Sequence, residues 1–272
     1  MIYQTIPIKS LEKTDARLVT YARDNDEAMD INKTRPAVVV CPGGGYHFCS
    51  EREAEPVALA FLRAGFQAFV LYYHVAPESV FPAAQRDLAL AVDYVRTHAA
   101  QYHVDPQKVA VLGFSAGGHL AASLGVMWQE AALWQPVGLT PERVRPNALV
   151  LCYPVITAGE YAHRGSFNQL TGVTDTSAQA PYSLEHLVSD KTPPAFLWHT
   201  ADDGAVPVQN SLLFATQLAA HHIPFEMHIY PHGVHGLSLA DDETASADRP
   251  VLNNPYCTGW IDCAIKWLKA TL

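Results

Sequence analysis

The sequence predicts an α/β protein with a doubly wound, mostly parallel sheet and helices on both faces. From about residue 37 onward, short apolar runs alternate with longer stretches of helical periodicity. Repeated strand, crossover helix and parallel strand produce a sheet that is covered on both sides. The predicted strands are 17–21, 37–41, 68–72, 109–112, 148–152, 195–199 and 225–230. The predicted helices are 51–64, 81–98, 116–127, 208–220 and 260–268.

The alternation of strands and helices continues to the end of the chain and predicts a single domain over residues 1–272, although length alone would permit two. The chain has 272 residues, of which 49% are hydrophobic, so it can bury roughly three quarters of its unfolded surface. Two stretches interrupt the alternation. Residues 153–192 have little periodicity and follow a strand, so we expect an insertion over the active site. Residues 240–255 are acidic and are interpreted as a solvated surface loop, with a role in the cleft or at a homo-oligomer contact left open.

Charge and cysteine usage exclude several classes of function. A net charge of −9 disfavours nucleic acid, whose phosphates require basic patches. No run of 18 apolar residues predicts a membrane span, and the N-terminus lacks the pattern of a signal peptide. Five cysteines without a C-x-x-C pair indicate a reduced, cytoplasmic compartment. His232 with His235, and His221 with His222, are spaced like metal ligands, but no carboxylate or cysteine set completes a site. We therefore expect no metal and no cofactor.

Ser115 is the candidate nucleophile. It is the central residue of a G-x-S-x-G motif, residues 113–117, which follows the predicted strand 109–112 and opens the predicted helix 116–127. In a strand-to-helix turn of this kind the serine hydroxyl projects into a cleft, and flanking glycines avoid collisions with neighbouring backbone. This context predicts nucleophilic serine chemistry.

A serine hydroxyl is weakly nucleophilic at neutral pH, so a base and an orienting acid are required. His235 is the candidate base because it lies on a glycine-containing loop after the predicted strand 225–230. Asp202 and Asp203 follow the predicted strand 195–199, at the edge where open α/β sheets hold their ligands. Position alone leaves both aspartates as candidates for the acid.

A glycine-rich loop, residues 43–45, follows the predicted strand 37–41. Such a loop can supply one backbone donor to an oxyanion, while the residue after the nucleophile, Ala116, supplies the other. A phosphate-binding P-loop is excluded, since no Gly-Lys-Ser/Thr follows. The G-x-G-x-x-G motif is also absent, because position 48 is Phe.

These motifs together resemble the α/β-hydrolase carboxylesterases of the hormone-sensitive-lipase-like type and the related acetyl (xylan) esterases. The matching stretches are 41–46, 109–120, 198–207 and 230–236. The resemblance implies Ser115 as nucleophile, His235 as base, and the N–H groups of Gly44, Gly45 and Ala116 as the oxyanion hole. It also implies Asp203 as the acid, since the family places its acid three residues before the valine of Val-Pro. One departure is Pro42, which stands where the family has a histidine that supports the loop.

The predicted activity is hydrolysis of short-chain, acetyl-type esters through an acyl-enzyme, with a small-molecule ester as the substrate, no nucleic-acid or membrane partner, and homo-oligomerisation left open. A peptidase on the same fold is the first alternative. Such exopeptidases carry an extra domain and an acidic pair, and here only Glu51 and Glu53 could serve, although acids are also favoured in the first turn of a helix. A non-catalytic binding protein is the second alternative. Bulky side chains at Tyr46, His47 and Phe48 are expected to shorten the acyl pocket.

Overall fold

The computed structural model describes residues 1–272 and contains one sheet of eight strands. The strands lie in the order β1-β2-β4-β3-β5-β6-β7-β8 across the sheet. Their bounds are β1 Ile2–Ile8, β2 Ala16–Ala22, β3 Arg35–Cys41, β4 Gln67–Tyr72, β5 Val104–Phe114, β6 Ala148–Cys152, β7 Ala195–Thr200 and β8 Phe225–Tyr230.

Six of the eight strands run parallel, and β1 and β2 form an antiparallel edge through the pairing of β2 with β4. The predicted fold class, a mostly parallel doubly wound sheet, is confirmed. Strand β1 was not predicted. Most of its residues are exposed or half-buried, because it is an edge strand, and it therefore lacks the apolar run that identifies a central strand.

Five long helices agree with the predicted ones, and none of the nine α-helices is both long and apolar enough to cross a membrane. The helices are α1 Glu55–Arg63, α2 Ala83–Thr97, α3 Ala116–Met127, α4 Ala131–Trp134, α5 Pro141–Val144, α6 Arg164–Thr171, α7 Thr176–Gln179, α8 Gln209–Ala220 and α9 Trp260–Thr271. Helices α4 to α7 were not predicted, because segments of four to eight residues are too short to display a helical period.

The sheet has a hydrophobic core on each face. One core contains residues of α2, α3 and α8, including Leu88, Leu120 and Phe214. The other contains residues of α1 and α9, such as Phe61 and Trp260. Apolar side chains on β3 to β7 are buried against both layers, which explains why these strands are continuous hydrophobic runs in the sequence. All five cysteines are free thiols.

The two interrupted segments are attached to the body of the protein in different ways. Residues 153–192 contain α6 and α7, and the first of them, from Tyr153 to Ala158, are buried. The 240–255 segment is exposed in part, but Ala240 and Leu252 lie in the second core. Asn254 also donates to the carbonyl of His232, so this segment is joined to the loop that carries His235.

The turn between β5 and α3 requires glycine at both flanks of Ser115. A Cβ built at Gly113 would lie 2.0 Å from the carbonyl oxygen of Gly117, and one at Gly117 would lie 2.2 Å from that of Cys41. Backbone atoms cannot yield as a flexible side chain can. Close approach of β3, β5 and α3 therefore depends on the absence of these side chains.

We expect Gly113→Ala and Gly117→Ala each to lower the free energy of unfolding by about 1–3 kcal/mol or more, the cost of inserting a methyl group into a closely packed site. Gly259→Ala is the matched control, because a Cβ there meets nothing within 4 Å and its φ is −68°. Denaturant unfolding of the three variants measures the effect. Equal stability of Gly117→Ala and Gly259→Ala would contradict this account of the turn.

Candidate active site

The sequence-predicted site residues lie on loops at one edge of the sheet. Ser115 follows β5, Asp203 follows β7 and His235 follows β8, while Gly44 and Gly45 follow β3. Since β3 and β5 to β8 are parallel, their carboxyl ends meet at this edge. The structure brings all five residues together.

A continuous hydrogen-bonded chain joins the three side chains. The Nε2 atom of His235 is 2.8 Å from Ser115 Oγ, and its Nδ1 atom is 2.7 Å from Asp203 Oδ2. An ionised carboxylate only accepts, so Nδ1 carries the ring proton and Nε2 is free to accept from the serine hydroxyl. The imidazole is thus held in the tautomer that a general base requires.

Asp203 is fully buried as a side chain and is held by backbone donors as well as by His235. The N–H groups of Ala205 and Val206 both donate to Asp203 Oδ1 at 2.9 Å. Burial raises the pKa of this carboxyl, but hydrogen bonds from His199 and His235 outweigh it, so the pKa lies below its usual value. Val206 lies three residues after Asp203, and this spacing allows its backbone N–H to reach the Asp203 carboxylate.

Asp202 points away from His235. Its carboxylate contacts His232 Nδ1 at 2.9 Å and accepts the N–H of Gly233 at 2.8 Å on the exposed surface. The hydrogen bond from His232 lowers the pKa of Asp202. His232 and His235 are therefore paired with separate aspartates, and no group of three or more His, Cys, Asp or Glu side chains is arranged to hold a metal ion.

Ser115 has left-handed backbone geometry, with φ 52° and ψ −117°. Neighbouring elements fix this conformation: the Ser115 N–H donates to the carbonyl of Cys152, and the Ser115 carbonyl accepts from His119 and Val155. A non-glycine residue in this region is strained and persists only where its surroundings over-determine it. The serine is consequently held at the start of α3, beside the N–H of Ala116.

The glycine loop presents unused donors at the same place. Gly44 and Gly45 have φ values of 129° and 65°, and their N–H groups have no acceptor among the chain's own atoms. The N–H of Ala116 is one of the first four of α3, which have no acceptor within a helix. Tyr73 donates to the carbonyl of Pro42 at 2.7 Å. Tyr73 therefore supports the loop that is supported in the family by a histidine at the position of Pro42.

The residues directly after this loop differ in burial and in the contacts they make. Tyr46 is buried, and its hydroxyl contacts His119 Nδ1 at 2.9 Å. His119 Nε2 in turn donates to the carbonyl of Tyr182, and burial lowers the pKa of His119 to about 4. Tyr46 therefore packs into the first core, and the proposal that Tyr46, His47 and Phe48 shorten the acyl pocket stays a prediction. Phe48 is 57% exposed and lies against Gly44 at the rim.

The N-terminus of α6 lies next to the glycine loop. Its capping residue, His163, contacts Ser166 Oγ at 2.8 Å, and that oxygen would be 3.8 Å from a Cβ on Gly45. Burial and the proximity of His235 lower the pKa of His163. This part of the 153–192 segment therefore supplies polar side chains to the surroundings of the triad.

Two buried residues received no role in the predicted triad or oxyanion hole, Glu53 and Tyr153. The carboxylate of Glu53 accepts the N–H of Gly43 and the hydroxyl of Tyr153. Glu51, the other acid of the suspected peptidase pair, accepts the hydroxyl of Tyr72. Glu53 is buried with both oxygens occupied and Glu51 lies at the surface, so the two acids do not form an exposed pair for a substrate amine. The position of Tyr153 directly after β6 was the one available signal.

Comparison with known proteins identifies the family. A family model described as BD-FAE matches residues 27–218, more than half of the chain. An endo-1,4-beta-xylanase B of Butyrivibrio fibrisolvens is 40% identical over 213 residues, which cover 77% of this chain and 33% of that protein. An acetylxylan esterase of Xylanibacter ruminicola is 32% identical over 215 residues, covering 76% of this chain and 42% of that protein. This chain thus spans less than half the length of either relative.

A solved structure matches almost end to end. The acetyl ester-xyloside bifunctional hydrolase of Caldicellulosiruptor lactoaceticus superimposes with a TM-score of 0.84 at 39% identity, covering 98% of this chain and 96% of that one. The fold, the order of the motifs and these matches agree. The protein belongs to the BD-FAE family and to the α/β-hydrolase esterases that its sequence resembles.

Proposed function

We propose that this protein hydrolyses carboxylic esters of short acyl groups through a Ser115–His235–Asp203 triad. The observation that carries the proposal is the hydrogen-bonded chain from Ser115 Oγ through His235 to Asp203, with contacts of 2.8 and 2.7 Å. The proposed oxyanion hole consists of the N–H groups of Gly44, Gly45 and Ala116, and the proposal is supported by the absence of any acceptor for the two glycine N–H groups within the chain.

Acylation begins when His235 Nε2 removes the proton of Ser115 Oγ, which attacks the ester carbonyl. A bond forms between Oγ and the carbonyl carbon, and the carbonyl oxygen becomes an oxyanion. The donors of the glycine loop and Ala116 stabilise that charge, an effect typically worth about 2.7–4 kcal/mol for one donor. The C–O bond to the alcohol then breaks, and His235 gives its proton to the departing oxygen.

Deacylation follows the same path with water in place of the serine. His235 removes a proton from water, which attacks the acyl-enzyme, and the proton is returned to Ser115 Oγ when the acid leaves. Asp203 stays ionised in both steps because its loop amides and His235 stabilise the carboxylate. Its proposed role is to orient the imidazole and to balance the charge of the imidazolium.

The preference for short acyl groups has three supports. One support is the resemblance of the motifs to those of acetyl esterases. Within the 153–192 segment, the exposed 171–177 run is mostly polar and unsuited to an oil surface. The names of two matched proteins also contain acetyl esters. Acetylated sugars are therefore the proposed substrate class.

Ser115→Ala is expected to reduce hydrolysis of p-nitrophenyl acetate by several orders of magnitude while the fold is preserved. Ser123→Ala is the control, since Ser123 is buried in α3 and its hydroxyl bonds only the carbonyl of Leu120. Steady-state rates and thermal unfolding of both variants measure the effect. Near-normal turnover by purified Ser115→Ala would refute the assignment.

Asp203→Asn is expected to lower kcat by about 10²–10⁴, because an amide can no longer select the Nδ1–H tautomer of His235. Asp202→Asn makes the same chemical change one residue away, on a carboxylate that contacts His232, and its kcat should stay close to that of the unaltered protein. A larger loss in Asp202→Asn than in Asp203→Asn would reverse the roles of the two acids.

Activity on p-nitrophenyl esters is expected to fall steeply between butyrate and octanoate. Each methylene that a closed pocket excludes costs about 1–3 kcal/mol of discrimination. A series of kcat/KM values from acetate to decanoate tests this directly, with each ester kept below the concentration at which it forms micelles. An optimum at eight carbons or more would remove the short-chain assignment and leave the triad intact.

A further inference from the structure

We propose that Glu53 is a positioning residue that fixes the oxyanion loop, residues 43–45, relative to the loop that carries His235. The proposal rests on the function proposed above, because it assigns work to a residue that does not touch the substrate. Glu53 ends a single 3-10 turn, Glu51–Glu53, between β3 and α1. It is 3% exposed, and an acid at such depth is retained only where its oxygens are satisfied.

The first link joins Glu53 to the oxyanion loop. Glu53 Oε2 accepts the N–H of Gly43 at 2.8 Å, one residue before the proposed donor Gly44. Space for this contact exists only because residue 43 is glycine, since a Cβ there would lie 2.7 Å from the same oxygen. The direction of the chain entering the glycine loop is therefore set by the carboxylate.

The second link joins Glu53 to the histidine loop through Tyr153. The Tyr153 hydroxyl donates to Glu53 Oε1 at 2.7 Å and accepts the N–H of Ser238 at 2.8 Å. The ring of Tyr153 packs edge to face against the His235 imidazole, with centroids 5.1 Å apart. One phenol thus contacts the proposed base directly and holds the loop three residues beyond it.

The neighbouring residue Arg52 strengthens the same connection. Its guanidinium donates to the carbonyl of Gly236 at 2.9 Å and to that of Thr244, while its own carbonyl accepts the hydroxyl of Ser238. Ser238 and Gly236 both have positive φ values, 56° and 82°. The histidine loop is therefore in a conformation that depends on these contacts rather than on regular secondary structure.

The chemistry of the contacts specifies a carboxylate at position 53. Both oxygens of Glu53 receive donors, and the Tyr153 hydroxyl uses its single proton toward one of them. In Glu53→Gln one acceptor becomes an NH₂ group. That group must oppose the N–H of Gly43 or turn toward a tyrosine oxygen that already accepts from Ser238, so one buried donor loses its partner.

The test compares Glu53→Gln with Glu51→Gln, two residues earlier in the same turn. Glu51 also accepts a tyrosine hydroxyl, from Tyr72 at 2.7 Å, but at the surface. We expect kcat for p-nitrophenyl acetate, per site titrated with a fluorophosphonate, to fall about 10- to 100-fold in Glu53→Gln, as for a misplacement near 1 Å. KM should change by less than about threefold, while Glu51→Gln keeps the original kcat.

Tyr153→Phe provides the second measurement, because it keeps the ring against His235 and removes only the hydroxyl. Its kcat per titrated site should fall as in Glu53→Gln. The kcat of the double variant should be only slightly lower than that of either single variant, since the two substitutions break the same chain of contacts. If Glu53→Gln does not fold, Tyr153→Phe alone decides. A purely structural role would lower the melting temperature and leave kcat per titrated site unchanged, which would overturn the proposal.

The unaltered protein separates this proposal from the proposed function. If it hydrolyses p-nitrophenyl acetate and is labelled at Ser115, but Glu53→Gln and Tyr153→Phe retain its kcat, the positioning role is wrong and the esterase stands. If the unaltered protein neither turns over the ester nor reacts with the fluorophosphonate, the proposed function itself fails.

Discussion

The backbone at Ser115 is the constraint on which the arrangement of the site depends. Its left-handed conformation, φ 52°, is held by hydrogen bonds to β6 and to the chain that follows β6. The turn also requires that Gly117 pack against the carbonyl of Cys41 at the end of β3. The parallel strands β3, β5 and β6 thus converge around Ser115. Short loops after these strands are therefore sufficient to contribute to a single site.

Three glutamates that follow β3 connect neighbouring strands through tyrosine hydroxyls. Glu51, Glu53 and Glu55 each accept a tyrosine hydroxyl, from Tyr72, Tyr153 and Tyr21 respectively. The three tyrosines lie on or directly after three different strands, so the turn Glu51–Glu53 and the first residue of α1 are together joined to β4, β6 and β2. Only the pair of Glu53 and Tyr153 is buried beside the triad. Loss of this contact is therefore expected to lower kcat, whereas loss of the exposed contact of Glu51 is not. Hydrogen bonds to a charged group are typically worth about 1.5–3 kcal/mol.

The sequence predicted the central strands, the long helices and the chain order of the site, because continuous apolar runs and a G-x-S-x-G turn are local signals. Edge strand β1 was missed, since its side chains are mostly exposed. The contacts of Tyr46 and Glu53 were not predicted for a shared reason: each makes its decisive contact with a residue distant in sequence, His119 for Tyr46 and Tyr153 for Glu53. No spacing rule connects such pairs. Pro42 could replace the family's histidine because Tyr73, which directly follows β4, donates to the Pro42 carbonyl and so supports the loop.

The central claim is that nucleophile and oxyanion hole form one preorganised unit, and the most direct measurement is a crystal structure of a phosphonate adduct. This preorganised arrangement predicts phosphorus bonded to Ser115 Oγ. It also predicts a phosphoryl oxygen about 2.7–3.1 Å from the backbone nitrogens of Gly44, Gly45 and Ala116, the distance at which such donors stabilise an oxyanion. His235 should remain bonded to Asp203 as it is in the free protein. An adduct whose phosphoryl oxygen faces solvent, or phosphorus bonded to another residue, would contradict it.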